Sequence, residues 1–142
     1  DGAVAMIVCS EEFASQRGLK VMARIVSGAV SGCPPGIMGI GPVEATRKVL
    51  ERTGWGMETV DLFELNEAFS SQCMAVISEL GLDRMKINID GGALAIGHPL
   101  GASGARIIGK AATLLRRTKS NRAIATMCIG GGMGIAIALE SP

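Results

Sequence analysis

Short apolar stretches alternate with amphipathic stretches along this chain, and glycine or proline marks most of the changes between them. Apolar runs of this length, bounded by turn residues, are typical of buried strands. The segments that we predict to be strands are Gly2–Cys9, Val21–Ala29, Val60–Leu65, Lys86–Asp90, Ala123–Cys128 and Gly134–Leu139.

The stretches between the predicted strands carry helix start and stop signals, such as Ser10 as an N-cap residue and Pro42 in a first turn. Val30–Gly41, with four glycines and two prolines, is predicted to be a loop. The predicted helices are 10–18, 42–53, a third that ends near Leu80 before Gly81, and about 102–117. Strands that alternate with helices and end in a hairpin indicate an α/β fold, in which we expect five of these six segments to form a mixed five-stranded sheet with helices on both faces. Residues 1–142 would form one domain.

Composition limits the class of function. Of the 142 residues, 48% are hydrophobic and 3% aromatic, so the core must be built from aliphatic side chains. Acidic and basic residues are mixed at a net charge of +1, and no basic stripe points to nucleic acid. No apolar run reaches the roughly 18 residues of a membrane span. We expect a cytoplasmic protein, with a mitochondrial or peroxisomal location left open.

The chain begins at Asp1 in the middle of an apolar pattern, so we expect it to be part of a longer protein. Its four cysteines have no CxxC spacing, and only one histidine accompanies them. Four such cysteines and one histidine make a poor zinc set, so we expect free thiols and no metal site.

The only histidine, His98, lies in a glycine-lined stretch that reads GGALAIGHPLGASGAR over residues 91–106. Glycines allow a ligand to approach the backbone closely, and an imidazole is suited to proton transfer near neutral pH. The alternative is a turn histidine that merely bonds a carbonyl group.

Two more candidates come directly after predicted strands. Asn66 follows the third strand, and Cys128 ends the fifth, just before Gly130-Gly131-Gly132, whose N–H groups could form an oxyanion hole. The alternatives are an N-cap for Asn66 and a buried strand cysteine for Cys128. Since ligand sites in α/β sheets gather where strands end, we expect Asn66, His98 and Cys128 to meet at one edge.

Three motifs together resemble the C-terminal domain of thiolases, the acetyl-CoA acetyltransferase and 3-ketoacyl-CoA thiolase enzymes. These are NEAF at 66–69, GGALAIGHPLGASGAR at 91–106 and CIGGG at 128–132. Their order and spacing match the family, and the resemblance extends over essentially the whole chain. It implies a reversible Claisen reaction of acyl-CoA, in which a cysteine carries the acyl group.

The resemblance also implies a role for each motif residue. His98 would activate the acyl-carrying cysteine and help to stabilise the enolate, and Asn66 would hold a water in the first oxyanion hole. Cys128 would be the acid and base at the α-carbon, and Gly130 would donate its N–H in the second oxyanion hole. The acyl pocket would be bordered by Ala68 and Phe69.

The resemblance implies further that the acylated cysteine belongs to an N-terminal domain that this chain lacks. We therefore expect the chain alone to be inactive, to associate with that domain, and to form a homo-oligomer, a dimer or tetramer. The substrates would be CoA and acyl-CoA, with no separate cofactor. A non-catalytic, thiolase-like protein that binds acyl-CoA or lipid is the alternative. Ketoacyl synthases share the fold, but they are expected to show a second histidine.

Overall fold

The computed structural model describes residues 1–142 and has an α/β fold with a four-stranded sheet. The α-helices are α1 (Glu11–Gln16), α2 (Gly41–Thr53), α3 (Ser70–Leu80), α4 (Ala93–Ile96) and α5 (Leu100–Thr118). The strands are β1 (Arg24–Gly32), β2 (Leu62–Leu65), β3 (Arg122–Ile129) and β4 (Met133–Glu140). Short 3₁₀ helices lie at Pro35–Ile40, Met57–Thr59 and Arg84–Lys86.

The sheet has the order β1-β4-β3-β2 and is mixed, as predicted. β4 pairs antiparallel with both β1 and β3, whereas β2 and β3 are parallel. The prediction of five strands was wrong. Gly2–Cys9 is exposed and forms no strand. An apolar composition is not sufficient for a strand, which also needs a sheet edge with which to pair.

Lys86–Asp90, also predicted to be a strand, makes only one bridge, from Ile87 to Phe63 of β2. The next residue, Asn88, has a positive φ of 44°, which ends the extended conformation. Its side chain continues the pairing instead, because Asn88 accepts from the amide of Leu65 at 3.0 Å and donates to the carbonyl of Leu65 at 2.9 Å.

Helices cover both faces of the sheet, as the alternation of elements predicted. On one face, Val49 and Leu50 of α2 pack on Ile124 of β3. On the other, α5 buries an aliphatic stripe that includes Ile107 and Leu115. Side chains alternate along a strand, so neighbouring positions of β2 and β3 face different helices.

Local signals set most helix ends. Ser10 caps α1 by accepting from the amide of Phe13 at 3.1 Å. Gly54 and Gly81 follow α2 and α3 with φ of 68° and 62°, the left-handed conformation that glycine adopts at little cost.

The predicted loop over Val30–Gly41 is instead the end of β1, a 3₁₀ helix and the first residue of α2. Gly41, the last residue of this segment, allows α2 to approach β4 closely. A Cβ on Gly134 would overlap the main chain of Gly41 and lie 2.6 Å from the nitrogen of Pro42. Gly134 pairs with Cys128, so this contact sets the position of the end of β3.

Candidate active site

The parallel pair β2 and β3 brings two of the predicted site residues to one edge. Asn66 directly follows β2, and its backbone N–H donates to the carbonyl of Thr126 at 2.9 Å. Cys128 lies two residues farther along β3, just before the glycine turn. The carboxyl ends of these strands therefore meet at a shared edge, as the sequence predicted.

The loop that carries His98 is tied to the same edge by Glu67. One carboxylate oxygen accepts from the amide of Leu94 at 2.9 Å, and the other accepts from the Asn88 side chain at 3.0 Å. Gly92 leaves room for this contact, since a Cβ there would lie 2.6 Å from the Glu67 carboxylate.

The half-buried ring of His98 has a hydrogen-bond partner at each nitrogen. Nδ1 lies 2.6 Å from Oγ of Ser103, and Nε2 lies 3.3 Å from Nδ2 of Asn66. The alternative interpretation required a bond from the ring to a carbonyl group, and the ring makes no such bond. Nor does Asn66 cap a helix: α3 begins at Ser70 without a side-chain cap.

These contacts define where the histidine proton lies. The hydroxyl of Ser103 can accept from an Nδ1–H of His98 at 2.6 Å while it donates to the carbonyl of Pro99 at 3.1 Å. At the other end, Arg106 donates through Nη2 to Oδ1 of Asn66 at 3.2 Å, which turns the Asn66 amide group toward His98. This orientation requires the neutral tautomer, with a proton on Nδ1 and an unprotonated Nε2 that accepts from the Asn66 side chain.

Cys128 is buried at 5% exposure and makes no side-chain hydrogen bond to the histidine network. Cys128 lies four residues after Ile124 in β3, so both side chains are on the face of the sheet that α2 covers. Burial raises the pKa of the Cys128 thiol, and the nearby Cys33 raises it further. The thiol is therefore held in its protonated form.

The glycine turn after β3 leaves main-chain groups open. Gly130 is exposed, and nothing lies within 4 Å of the place where its Cβ would be. Gly131 and Gly132 have φ of 87° and 90°. Near the start of α3, Ala68 is half-buried and Phe69 is 60% exposed.

An open pocket of about 480 Å³ lies at His98, between the loop 96–101 and residues 1–2. The structure brings together no group of three or more histidine, cysteine or carboxylate side chains that could hold a metal ion. None of the helices has the length and apolar character needed to cross a bilayer.

Sequence reasoning missed Ser103, Arg106 and the buried Glu64, which lies two residues before Asn66. A signal was present, because Ser103, Arg106 and Lys110 are spaced by three and four residues on one face of α5. The sequence does not say which residues of β2 this face of α5 contacts, because that depends on how the helix packs on the sheet.

Comparison with known proteins identifies the family of the chain. Residues 19–141 match the family described as "Thiolase, C-terminal domain". The chain is 50% identical to an acetyl-CoA acetyltransferase of Chromobacterium violaceum and 54% identical to a 3-ketoacyl-CoA thiolase of Aliivibrio salmonicida, with 100% of the chain aligned in each case. It spans only 36% and 38% of their lengths.

Solved structures show the same fold. The acetyl-CoA acetyltransferase of Bacillus anthracis superposes with a TM-score of 0.91 at 47% identity, over 94% of this chain and 34% of that one. Human mitochondrial 3-ketoacyl-CoA thiolase superposes with a TM-score of 0.92 at 47% identity, over the same shares. The chain therefore belongs to the thiolase family, whose C-terminal domain it matches.

Proposed function

We propose that this chain supplies the acid–base half of a thiolase active site, which catalyses the reversible Claisen condensation of acyl-CoA thioesters. The observation that carries the proposal is the His98 ring, held in one tautomer by Ser103 and Asn66 at the sheet edge where β3, which carries Cys128, ends. A binding protein has no need for a histidine whose Nε2 is kept unprotonated.

His98 is the base that activates an acyl-carrying cysteine. Its Nε2 lone pair accepts the thiol proton, and the Nδ1–H bond to Ser103 stabilises the imidazolium that forms. Once protonated, Nε2 is a donor beside the Asn66 amide group, 3.3 Å away. Two donors at one place suit an oxyanion, such as the enolate of a thioester.

Cys128 is the second acid–base group. It donates a proton to the α-carbon during thiolysis and removes one during condensation. Its raised pKa suits the donor role, because the thiol keeps its proton until a strong base forms beside it. The free N–H of Gly130 stabilises the tetrahedral oxyanion, and Ala68 and Phe69 border the acyl group.

The acyl-carrying cysteine is not among the other three cysteines of this chain. Cys9 is exposed in the irregular segment before α1, and Cys73 is buried in α3, where burial raises its pKa to about 11. Cys33 lies near Cys128, and its thiol is directed at the carbonyls of Ile37 and Met38. We place that nucleophile, and most of the CoA site, in the other part of the thiolase.

CoA and acyl-CoA are the proposed substrates, with no further cofactor. One relative of this chain, a human mitochondrial 3-ketoacyl-CoA thiolase, was solved in complex with CoA. We also propose a cytoplasmic location, supported by a mouse relative described as cytosolic that is 48% identical. A homo-oligomer, dimer or tetramer, is supported by exposed apolar side chains on the edge strand β1, including Ile25 and Val30.

The test is a chimera in which this chain replaces the matching part of the Chromobacterium violaceum acetyl-CoA acetyltransferase. We expect the chimera to cleave acetoacetyl-CoA with CoA, and the 142-residue chain alone to show no sustained turnover. His98→Ala and Cys128→Ala should each lower kcat by about 10²–10⁴-fold. Cys9→Ala, which removes an exposed thiol, is the matched control and should leave the rate unchanged.

Turnover by the chain alone would place the nucleophile within it and refute the division proposed here. A folded chimera that binds CoA without turnover would favour the non-catalytic binding protein. Near-normal kinetics from either alanine variant would remove that residue from the mechanism.

A further inference from the structure

Glu67, in the loop after β2, is a carboxylate that the proposed chemistry does not use. Its two oxygens have different partners: one accepts from the Asn88 side chain at 3.0 Å, and the other accepts from the backbone N–H of Leu94 at 2.9 Å. The side chain of Asn88 is in turn bonded to the backbone of Leu65 in β2. A continuous set of hydrogen bonds therefore connects the end of β2 with the segment that leads to His98.

The helix α4 takes a hydrogen-bond acceptor from outside the helix. The first N–H groups of a helix have no partner within it, and Gly92, the N-cap residue of α4, has no side chain that could accept from them. The N–H of Leu94 is one of these groups, and Glu67 supplies its acceptor. A helix of four residues has little stability of its own, so its position depends on contacts such as this one.

The position of α4 determines the position of the histidine. The helix ends two residues before His98, and Gly97 between them donates its N–H to the carbonyl of Ala93 at 2.8 Å. A displacement of α4 would therefore move the ring of His98 relative to Asn66, whose Nδ2 lies 3.3 Å from Nε2. Glu67 is the covalent neighbour of Asn66, so one residue holds both sides of this contact.

Gly92 makes the space that the carboxylate occupies. A Cβ at this position would lie 2.6 Å from Cδ and from one carboxylate oxygen of Glu67, and 2.9 Å from the other oxygen. The three nearest atoms all belong to Glu67. The φ of Gly92 is −136°, which an alanine adopts without strain. Glycine is therefore required here by the Glu67 carboxylate and not by the backbone.

We propose that Glu67 is a positioning residue: its carboxylate holds α4 against the end of β2 and thereby sets the separation between the His98 ring and the Asn66 amide group. The consequence for catalysis rests on the proposed function, in which these two groups together stabilise an oxyanion. Glu67 does not line the pocket at His98, so it acts through the loop and not on the substrate.

Hydrogen exchange at the backbone amide of Leu94, followed by NMR on the 142-residue chain, reports the bond to Glu67 directly. Glu67→Ala removes the acceptor, so we expect exchange at Leu94 to become about tenfold faster, the effect of one hydrogen bond. The ion pairs of Asp90 with Lys110 and Arg117 keep the start of the loop attached to α5 in this variant. We therefore expect the change to stay within the loop.

Gly92→Ala tests the same bond without replacing Glu67. With Glu67 present, the new Cβ displaces the carboxylate, and exchange at Leu94 should again rise about tenfold. In the Glu67→Ala background, the same substitution should change exchange by less than about twofold, because the atoms that the Cβ would meet are gone.

Glu79→Ala, at an exposed position of α3, is the matched control for the loss of a carboxylate and should leave exchange at Leu94 unchanged. Two results would overturn the proposal. One is wild-type exchange at Leu94 in Glu67→Ala. The other is a Gly92→Ala effect that is the same with and without the Glu67 carboxylate.

In the chimera, Glu67→Ala should lower kcat by about 10–100-fold and leave KM for CoA within about twofold, because it misplaces a catalytic group and removes no substrate contact. Glu67→Gln, which keeps the shape but has one acceptor oxygen where the carboxylate has two, should fall between wild type and Glu67→Ala. A rise in KM with an unchanged kcat would contradict the proposal. The exchange experiment needs no turnover. An inactive wild-type chimera would therefore overturn the proposed function and leave the exchange result to decide whether Glu67 holds the loop.

Discussion

Glu64→Gln should change how the stability of this protein depends on pH. In the folded chain, burial raises the pKa of the Glu64 carboxyl from 4.5 to about 7, the largest opposing effect being the charge of Lys110. Between these two values the folded state binds a proton that the unfolded state has released. The free energy of unfolding therefore falls as pH rises through this window, and the loss is complete above pH 7.

The magnitude follows from the shift. One pKa unit corresponds to about 1.4 kcal/mol, so a shift from 4.5 to about 7 is worth about 3 kcal/mol in total. Glutamine cannot ionise, so the variant lacks this loss. Its buried NH₂ group adds a cost, but that cost does not vary with pH. Relative to wild type, the variant should gain about 3 kcal/mol between pH 4.5 and pH 8.

Urea unfolding of both proteins at several pH values between 4.5 and 8 measures this difference. Titrations elsewhere in the chain cancel when the two are subtracted. Glu51→Gln, at an exposed position of α2, is the matched control and should alter stability by less than about 0.5 kcal/mol. A difference between Glu64→Gln and wild type that stays constant with pH would refute the claim that burial dominates the pKa of Glu64.

Two further predictions concern packing and thiol reactivity. Gly134→Ala should lower the free energy of unfolding by more than about 3 kcal/mol in urea denaturation, because its Cβ would overlap the main chain of α2. Gly36→Ala, where a Cβ meets nothing within 4 Å, should stay within about 0.5 kcal/mol of wild type, and equal losses in both variants would contradict the argument. In the native chain, iodoacetamide should alkylate the exposed Cys9 well before Cys128, whose pKa is raised by burial, and peptide mass spectrometry would reveal the opposite order.

Much of the fold could be predicted because its signals are local. Ser10 caps α1, and Gly54 and Gly81 end α2 and α3, all at the predicted positions. A cap or a left-handed glycine satisfies groups within one turn of the chain, so the residues nearby are sufficient to define it.

Strands depended on partners that no local pattern specifies. Gly2–Cys9 is as apolar as the true strands, yet Ile7 is 85% exposed and pairs with nothing. Lys86–Asp90 does not form a strand, because the chain turns at Asn88. The side chain of Asn88 then makes the hydrogen bonds to the backbone of Leu65 that a strand would make with its own backbone. Strand formation is decided by the edge that the rest of the sheet leaves available.

The candidate site divides in the same way. By itself, the sequence determined that Asn66 follows a strand, that Cys128 lies at the end of another, and that His98 lies in a glycine-lined loop. The ends of parallel strands meet at one edge of a sheet. Only the tertiary structure decided that α5 packs with Arg106 against the side chain of Asn66. The protonation state of one imidazole depends on that packing, because hydrogen-bond direction and burial are set by side chains far apart in the chain.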